Sequence, residues 1–148
     1  MINAIIVLKV WDDDVEVIDF VFPKIDARMK ELEEKLAAVQ SEDEAAKKQI
    51  IGELCELDGL QEMGSIDLGQ HGDISEEIYK EYALPAKANG ENECEFMCFE
   101  VDITYTESRG YFGDVDTDWD IDVKRVDLKD TITKYTFDIS DEDLKLIK

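Results

Sequence analysis

Two stretches of the chain, MCFEVDITYT at residues 97–106 and GDVDTDWDID at residues 113–122, alternate between apolar and polar residues. Successive side chains of a β-strand point to opposite faces, so this period of two predicts two strands, each with one apolar face. In the second stretch, aspartates occupy five alternate positions: Asp114, Asp116, Asp118, Asp120 and Asp122. An extended backbone would place their carboxylates in one row, about 6.6 to 6.8 Å apart.

Further β-strands are predicted at both ends of the chain. Residues 4–11 and 15–22 are rich in β-branched and aromatic side chains, and the acidic turn between them indicates an N-terminal β-hairpin. The turn consists of Asp12, Asp13 and Asp14. Residues 119–128 and 133–139 repeat the alternation of residues 97–106, which predicts a C-terminal antiparallel meander. The apolar phase changes at residues 124–125, where we expect a β-bulge.

Two amphipathic helices are predicted between these groups of strands. Pro23 suits a first helical turn, and apolar residues recur at spacings of three and four from Ile25 to Val39. A second helical pattern opens near Glu44, and we expect it to end at Gly59 or Gly64. The sequence leaves open whether the two helices form an antiparallel pair or one long interrupted helix.

The order of the predicted elements indicates an α+β fold rather than alternating βαβ units. Its parts are an N-terminal β-hairpin, two amphipathic helices, a C-terminal antiparallel meander and a short terminal helix from Ser140 to Ile147. A chain of 148 residues fits one domain, 1–148. Residues 86–93 are polar and include a glycine, so we expect a mobile connection there.

The charge balance limits what the protein can bind. The chain has 38 acidic and 16 basic residues, for a formal net charge of −22, and 44% of its residues are hydrophobic. That apolar content is enough for a core, so the charge is expected on a folded surface rather than on a disordered tail. Such a surface repels nucleic acid and anionic membranes and attracts basic protein surfaces.

The cysteines indicate a reducing compartment. Three cysteines, Cys55, Cys94 and Cys98, are an odd number in a chain without a signal-like start, which favours the cytoplasm. Cys94 and Cys98 would lie about 13 Å apart in a strand, too far to share a zinc ion. No apolar stretch reaches the length of a membrane span.

No metal, cofactor or catalytic site is assigned from the sequence. If an EF-hand loop began at Asp114, Trp119 would stand where glycine is needed and Arg125 where a bidentate glutamate is needed, and the two later registers fail similarly. A weak, irregular cation site remains open. The single histidine, His71, has no second histidine or cysteine near it in sequence, and no nucleophile elbow or phosphate-binding loop is present.

The loop SRGYFG at residues 108–113 joins the two alternating stretches. Its aromatic residues, Tyr111 and Phe112, either fold back as a lid on the core or protrude as an anchor for a partner. Glu100 and Asp102 are expected on a strand beside the aspartate row. Like charges at such spacing repel, so the row either protects a sheet edge from aggregation or serves a partner.

The composition and the row from Asp114 to Asp122 resemble the small acidic DNA-mimic and anti-defence proteins that phages and mobile elements encode. The resemblance implies a non-enzymatic inhibitor that acts in the host cytoplasm on a basic nucleic-acid-binding protein, such as a nuclease, a restriction enzyme or a CRISPR effector. The row, with Glu100 and Asp102, would imitate phosphates, and Tyr111 and Phe112 would anchor it. The cluster Asp12–Asp14 is a secondary acidic candidate.

Two other interpretations remain. The protein is alternatively a structural or regulatory domain that meets partners through its helical pair, with acidity serving solubility. An enzyme with an unmarked carboxylate site is the third interpretation. The sequence leaves the oligomeric state open.

Overall fold

The structure, a computed structural model, describes residues 1–11, 15–69, 78, 80–81 and 95–147, apart from the side chains of residues 66, 67 and 117–119. The predicted α+β class and the N-terminal hairpin are confirmed. The elements within the described residues are β1 (Ile2–Val10), β2 (Val15–Val21), α1 (Pro23–Ala38), α2 (Glu44–Gly69), β3 (Glu95–Arg109), β4 (Val115–Val126), α3 (Leu128–Lys134) and α4 (Asp141–Leu146). The predicted acidic turn at residues 12–14 and the predicted mobile connection at 86–93 lie outside the described residues.

One antiparallel sheet has the strand order β2-β1-β3-β4. Of its two inner strands, β1 is a nearly continuous apolar run that is buried along almost its whole length, as expected for a strand that is covered on both faces. The helices cover one face, and the C-terminal residues cover part of the other. No described helix is long and apolar enough to cross a membrane.

The helical face of the sheet holds the larger core. The buried residues of this core come from β1, β3, the helices and the residues around them: Ile2, Ala4, Ile6, Leu8, Val10, Phe22, Ile25, Leu68, Ile78, Met97, Phe99, Val101 and Ile103. Arg28 in α1 pairs with Glu53 in α2 at 2.9 Å, and Gln61 in α2 donates a hydrogen bond to Asp26 in α1. Early residues of α1 thus meet later residues of α2, and the two helices form an antiparallel hairpin.

Helix α2 continues through both glycines at which the sequence predicted its end, so that prediction was wrong. A Cβ atom at Gly64 would lie 2.7 Å from Cε1 of Phe22 and 3.2 Å from Cγ2 of Ile2. Because glycine has no side chain at this position, α2 can lie close against the sheet, and Gly64 stays inside the helix.

The C-terminal strap, residues 127–147, packs on the second face of the sheet. The predicted strand at residues 133–139 was wrong: the segment begins in α3 and continues as irregular chain. Asp127 caps α3 by accepting a hydrogen bond from the amide of Asp130 at 3.0 Å, and Leu128, Ile132 and Tyr135 recur at helical spacing. The predicted terminal helix is confirmed as α4, which Ser140 caps.

The strap also explains why the predicted bulge at residues 124–125 was wrong. The pairing of β3 with β4 runs without interruption from Cys98 opposite Val126 to Arg109 opposite Val115. Val123 packs against the helical core, whereas Val126 packs with Cys98 under the strap. The apolar residues of β4 change from one face to the other because the helices cover one face near Val123 and the strap covers the opposite face near Val126.

Candidate partner-binding surface

The β3–β4 hairpin projects beyond the rest of the sheet. The pairing of β1 with β3 ends at Ile2 opposite Ile103, but β3 and β4 remain paired as far as Arg109 and Val115. Residues 104–109 and 115–120 therefore form a two-stranded arm beyond β1. Six residues at 3.4 Å each give it a length of about 20 Å.

One face of the hairpin is acidic. Residues directly opposite each other in an antiparallel pair share a face, and the register places Asp102 opposite Asp122, Thr104 opposite Asp120 and Ser108 opposite Asp116. We define the acidic strip as Glu100, Asp102, Asp116, Asp120 and Asp122. Asp118 occupies the backbone position of β4 opposite Thr106. The two β3 residues lie beside the β4 row, as the sequence predicted.

Asp114 immediately precedes β4, which begins at Val115. Its carbonyl oxygen accepts a hydrogen bond from the amide of Gly110 at 2.7 Å, and the amide of Gly113 donates to the carbonyl of Gly110 at 3.0 Å. Gly113 has a φ of +80°, a value that glycine adopts without strain. Asp114 thus closes the hairpin loop, and the row in β4 begins at Asp116.

Asn3 supports the base of the acidic strip from β1. Its side chain is only 5% exposed, and its Nδ2 donates to Oδ1 of Asp102 at 2.8 Å and to Oε1 of Glu100 at 3.2 Å. The amide fixes two carboxylates at the point where Asp102 and Asp122 face each other. Sequence reasoning missed this residue, although a polar side chain inside the apolar run INAII was a visible signal.

Lys124 is opposite Glu100 in the register, but the described residues place no cation within ion-pair distance of the acidic strip. Among the described residues, the ion pairs are Lys9–Asp143, Arg28–Glu31, Arg28–Glu53 and Lys35–Glu31, and none includes a strip residue. Elsewhere such pairing has its usual effect: the hydrogen bond from Lys9 lowers the pKa of Asp143, as that from Lys35 lowers the pKa of Glu31. The charge of the strip is left available to an external cation.

The hairpin loop carries two aromatic side chains in solvent. Tyr111 is 98% exposed and Phe112 is 86% exposed. Their rings meet edge to face, with centroids 5.3 Å apart, and they touch no part of the core. Of the two predicted alternatives, the lid is therefore excluded, and the aromatic pair forms the tip of the arm.

The described residues can be compared with the requirements of a metal site and of a reactive thiol. They contain no group of three histidine, cysteine, aspartate or glutamate residues placed to hold a metal ion. Burial raises the pKa of the Cys98 thiol to about 11, so it is a poor nucleophile near neutral pH. His71, Cys94 and the secondary acidic cluster Asp12–Asp14 lie outside the described residues.

No protein-family model matches this chain, and neither a curated protein nor a solved structure shows significant similarity to it. The arm and the acidic strip are therefore the features from which a function can be inferred.

Proposed function

We propose that the protein is a non-enzymatic inhibitor that binds the basic nucleic-acid-binding surface of another protein by imitating the charge of DNA or RNA, in the manner of anti-restriction and anti-CRISPR proteins. One observation carries the proposal: the acidic strip runs from the base of the β3–β4 hairpin onto its projecting arm and has no ion-pair partner among the described residues. The partner would be a nuclease, a restriction enzyme or a CRISPR effector.

The spacing of the strip suits a phosphate-binding surface. Aspartates at every second residue of β4 repeat at about 6.6 to 6.8 Å. Successive phosphates of one DNA strand are roughly 7 Å apart, once helical winding is added to the axial rise of 3.4 Å. Cations arranged to contact successive phosphates would therefore meet successive carboxylates.

The base of the strip is also rigid. Glu100 and Asp102 belong to β3, which is paired on both sides, and Asn3 fixes their carboxylates. A surface whose charges are already in place loses less entropy on binding.

Protection of a sheet edge does not explain all of the charge. Charged side chains on an edge strand discourage pairing with another edge, but that role does not require two like charges to face each other across a strand pair, as Asp102 and Asp122 do. Like charges at such positions destabilise a sheet. A binding partner gives a reason for retaining them.

The helical pair is less suited to be the contact surface. Its apolar residues pack mainly against the sheet, and among the described side chains of α1 and α2 the one large hydrophobic exposed side chain is Ile51, at 49%. Of the aromatic side chains that the structure describes, the most exposed are instead at the tip of the arm. The arm, with both charge and apolar area, fits a partner better.

Capture from a host lysate tests the proposal. The tagged protein is incubated with lysate at about 50 mM and about 200 mM salt, with and without added nucleic acid. Charge mimicry predicts that capture falls steeply at the higher salt and that nucleic acid displaces the captured protein. Capture that is indifferent to both salt and nucleic acid would sink the proposal and favour an apolar contact through the helices.

A further inference from the structure

The acidic charge of the arm is arranged in a single row. β4 carries an aspartate at every second position from Asp116 to Asp122, but the opposing positions of β3 in the arm carry hydroxyls: Thr104, Thr106 and Ser108. Neighbouring strands are only 4.7–4.9 Å apart, so a second acidic row would have fitted there. On the other face of the arm, β3 carries Glu107 and Arg109, whose charges cancel.

A single row resembles one strand of nucleic acid more closely than it resembles a duplex. A duplex presents two phosphate strands, separated by a minor groove about 6 Å wide or a major groove about 12 Å wide. The row from Asp116 to Asp122 spans about 20 Å, three intervals of 6.6 to 6.8 Å. It matches about four phosphates of one strand. Acidic residues of β3 lie beside it only at the base, where Asp102 faces Asp122, and the arm itself has no second row.

The aromatic tip fits the same interpretation. Proteins that bind single strands combine a positively charged groove with aromatic or arginine side chains on which unpaired bases stack. Tyr111 and Phe112 stand at the end of the acidic row with their rings exposed. They offer to such a groove the flat faces that bases would offer. In a duplex the bases are already stacked on one another and present only their edges in the grooves.

We infer that the arm occupies a groove for single-stranded DNA or RNA on its partner. The row of aspartates takes the place of the phosphate backbone, and the aromatic tip takes the place of one or two unstacked bases. This inference rests on the proposed function and specifies the class of its target.

Displacement by oligonucleotides tests the inference. Protein captured on the immobilised chain is challenged with a mixed-sequence single strand of about 16 nucleotides, the upper site size of one single-strand-binding fold, or with the duplex of the same length. We expect the single strand to release the captured protein at a phosphate concentration at least about tenfold lower than the duplex. Release by the duplex at equal or lower concentration overturns the inference but leaves charge mimicry standing. If neither releases it, both ideas fail.

Variants at the tip provide a second readout. The double substitution Tyr111→Ala and Phe112→Ala removes two stacking faces and no charge, so it should weaken capture by roughly tenfold or more and leave its salt dependence unchanged. Ile51→Ala, which shortens an exposed apolar side chain on α2, is the control and should have no effect. If the tip variant binds as well as the wild type, the aromatic tip does not take the place of bases.

Discussion

Replacing Asp122 with asparagine should stabilise the protein. Asp122 lies directly opposite Asp102, and Glu100 is its diagonal neighbour. In water, the carboxylate of Asp102 at about 6 Å repels that of Asp122 by about 0.7 kcal/mol, and the carboxylate of Glu100 at about 7.5 Å repels it by about 0.5 kcal/mol. Along β4, repulsion from Asp120 and attraction to Lys124 act over similar distances and nearly cancel. The Asp122→Asn variant should therefore gain about 1 kcal/mol at low salt.

Urea unfolding at low salt and in about 1 M salt measures this gain. Because the Debye length falls to about 3 Å at 1 M, the stabilisation should nearly vanish there. At low salt it corresponds to a rise in the melting temperature of about 2–4 °C. Asp116→Asn is the matched control, since Asp116 faces the hydroxyl of Ser108 and should gain less than half as much. Equal gains at both positions, or a gain that survives in 1 M salt, would refute the reasoning about facing charges.

Three further substitutions or measurements test the packing. Asn3→Ala should cost about 2 kcal/mol in urea unfolding, because it removes two hydrogen bonds to carboxylates; a loss below about 0.5 kcal/mol would contradict that role. Gly64→Ala should destabilise by about 1–3 kcal/mol, since the new Cβ meets the buried ring of Phe22. Gly52→Ala is the control: with nothing within 4 Å of the new Cβ, it should stabilise the protein by about 0.5–1 kcal/mol. If the two substitutions changed the free energy of unfolding equally, α2 would not be closely packed at Gly64. In a variant whose one cysteine is Cys98, the thiol should react with a disulfide reagent at pH 8 only after unfolding, and rapid reaction of the folded protein would contradict its burial.

The free energy of unfolding of that single-cysteine variant should fall at alkaline pH. Burial raises the pKa of Cys98 from its ordinary value of 9.0 to about 11, so the folded state favours the neutral thiol. Its contribution to stability should be complete below about pH 9 and should be lost as the pH rises towards about 11. The matched variant with Cys98→Ser should lack this loss, and a loss of equal size in both would assign it to another group.

The sequence was sufficient for features that depend on local period. Alternation predicted β3 and β4, and the spacing from Ile25 to Val39 predicted α1. It failed at the end of α3, where the alternation of residues 133–139 predicted a strand. The decisive factors there were the cap at Asp127 and the contact with the sheet. Local pattern is overridden where distant parts of the chain pack together.

In the candidate site, too, the sequence predicted the locally patterned features but not those that depend on distant contacts. The row of aspartates was visible because its period is local, but the projecting arm depends on β1 pairing with β3 only as far as Ile103. Asn3 is about a hundred residues away in sequence from the two carboxylates that it fixes. Non-local pairing of this kind has no signature in a single sequence.

The most direct test of the acidic strip compares two variants of equal charge. The strip variant carries Asp116→Asn, Asp118→Asn, Asp120→Asn and Asp122→Asn. The control variant changes four exposed helical residues: Glu33→Gln, Glu34→Gln, Glu56→Gln and Glu62→Gln. Each changes the formal net charge by four, from −22 to −18, so any general effect of charge is shared.

The decisive measurement is the affinity of each variant for the captured partner by calorimetry, after thermal unfolding has shown that both are folded. If the strip binds the partner, its variant should lose at least about 100-fold in affinity, equivalent to about 2.8 kcal/mol spread over four charge contacts. The helical control should lose less than about threefold. Equal losses in the two variants, or full affinity of the strip variant, would contradict the claim that this strip is the binding surface.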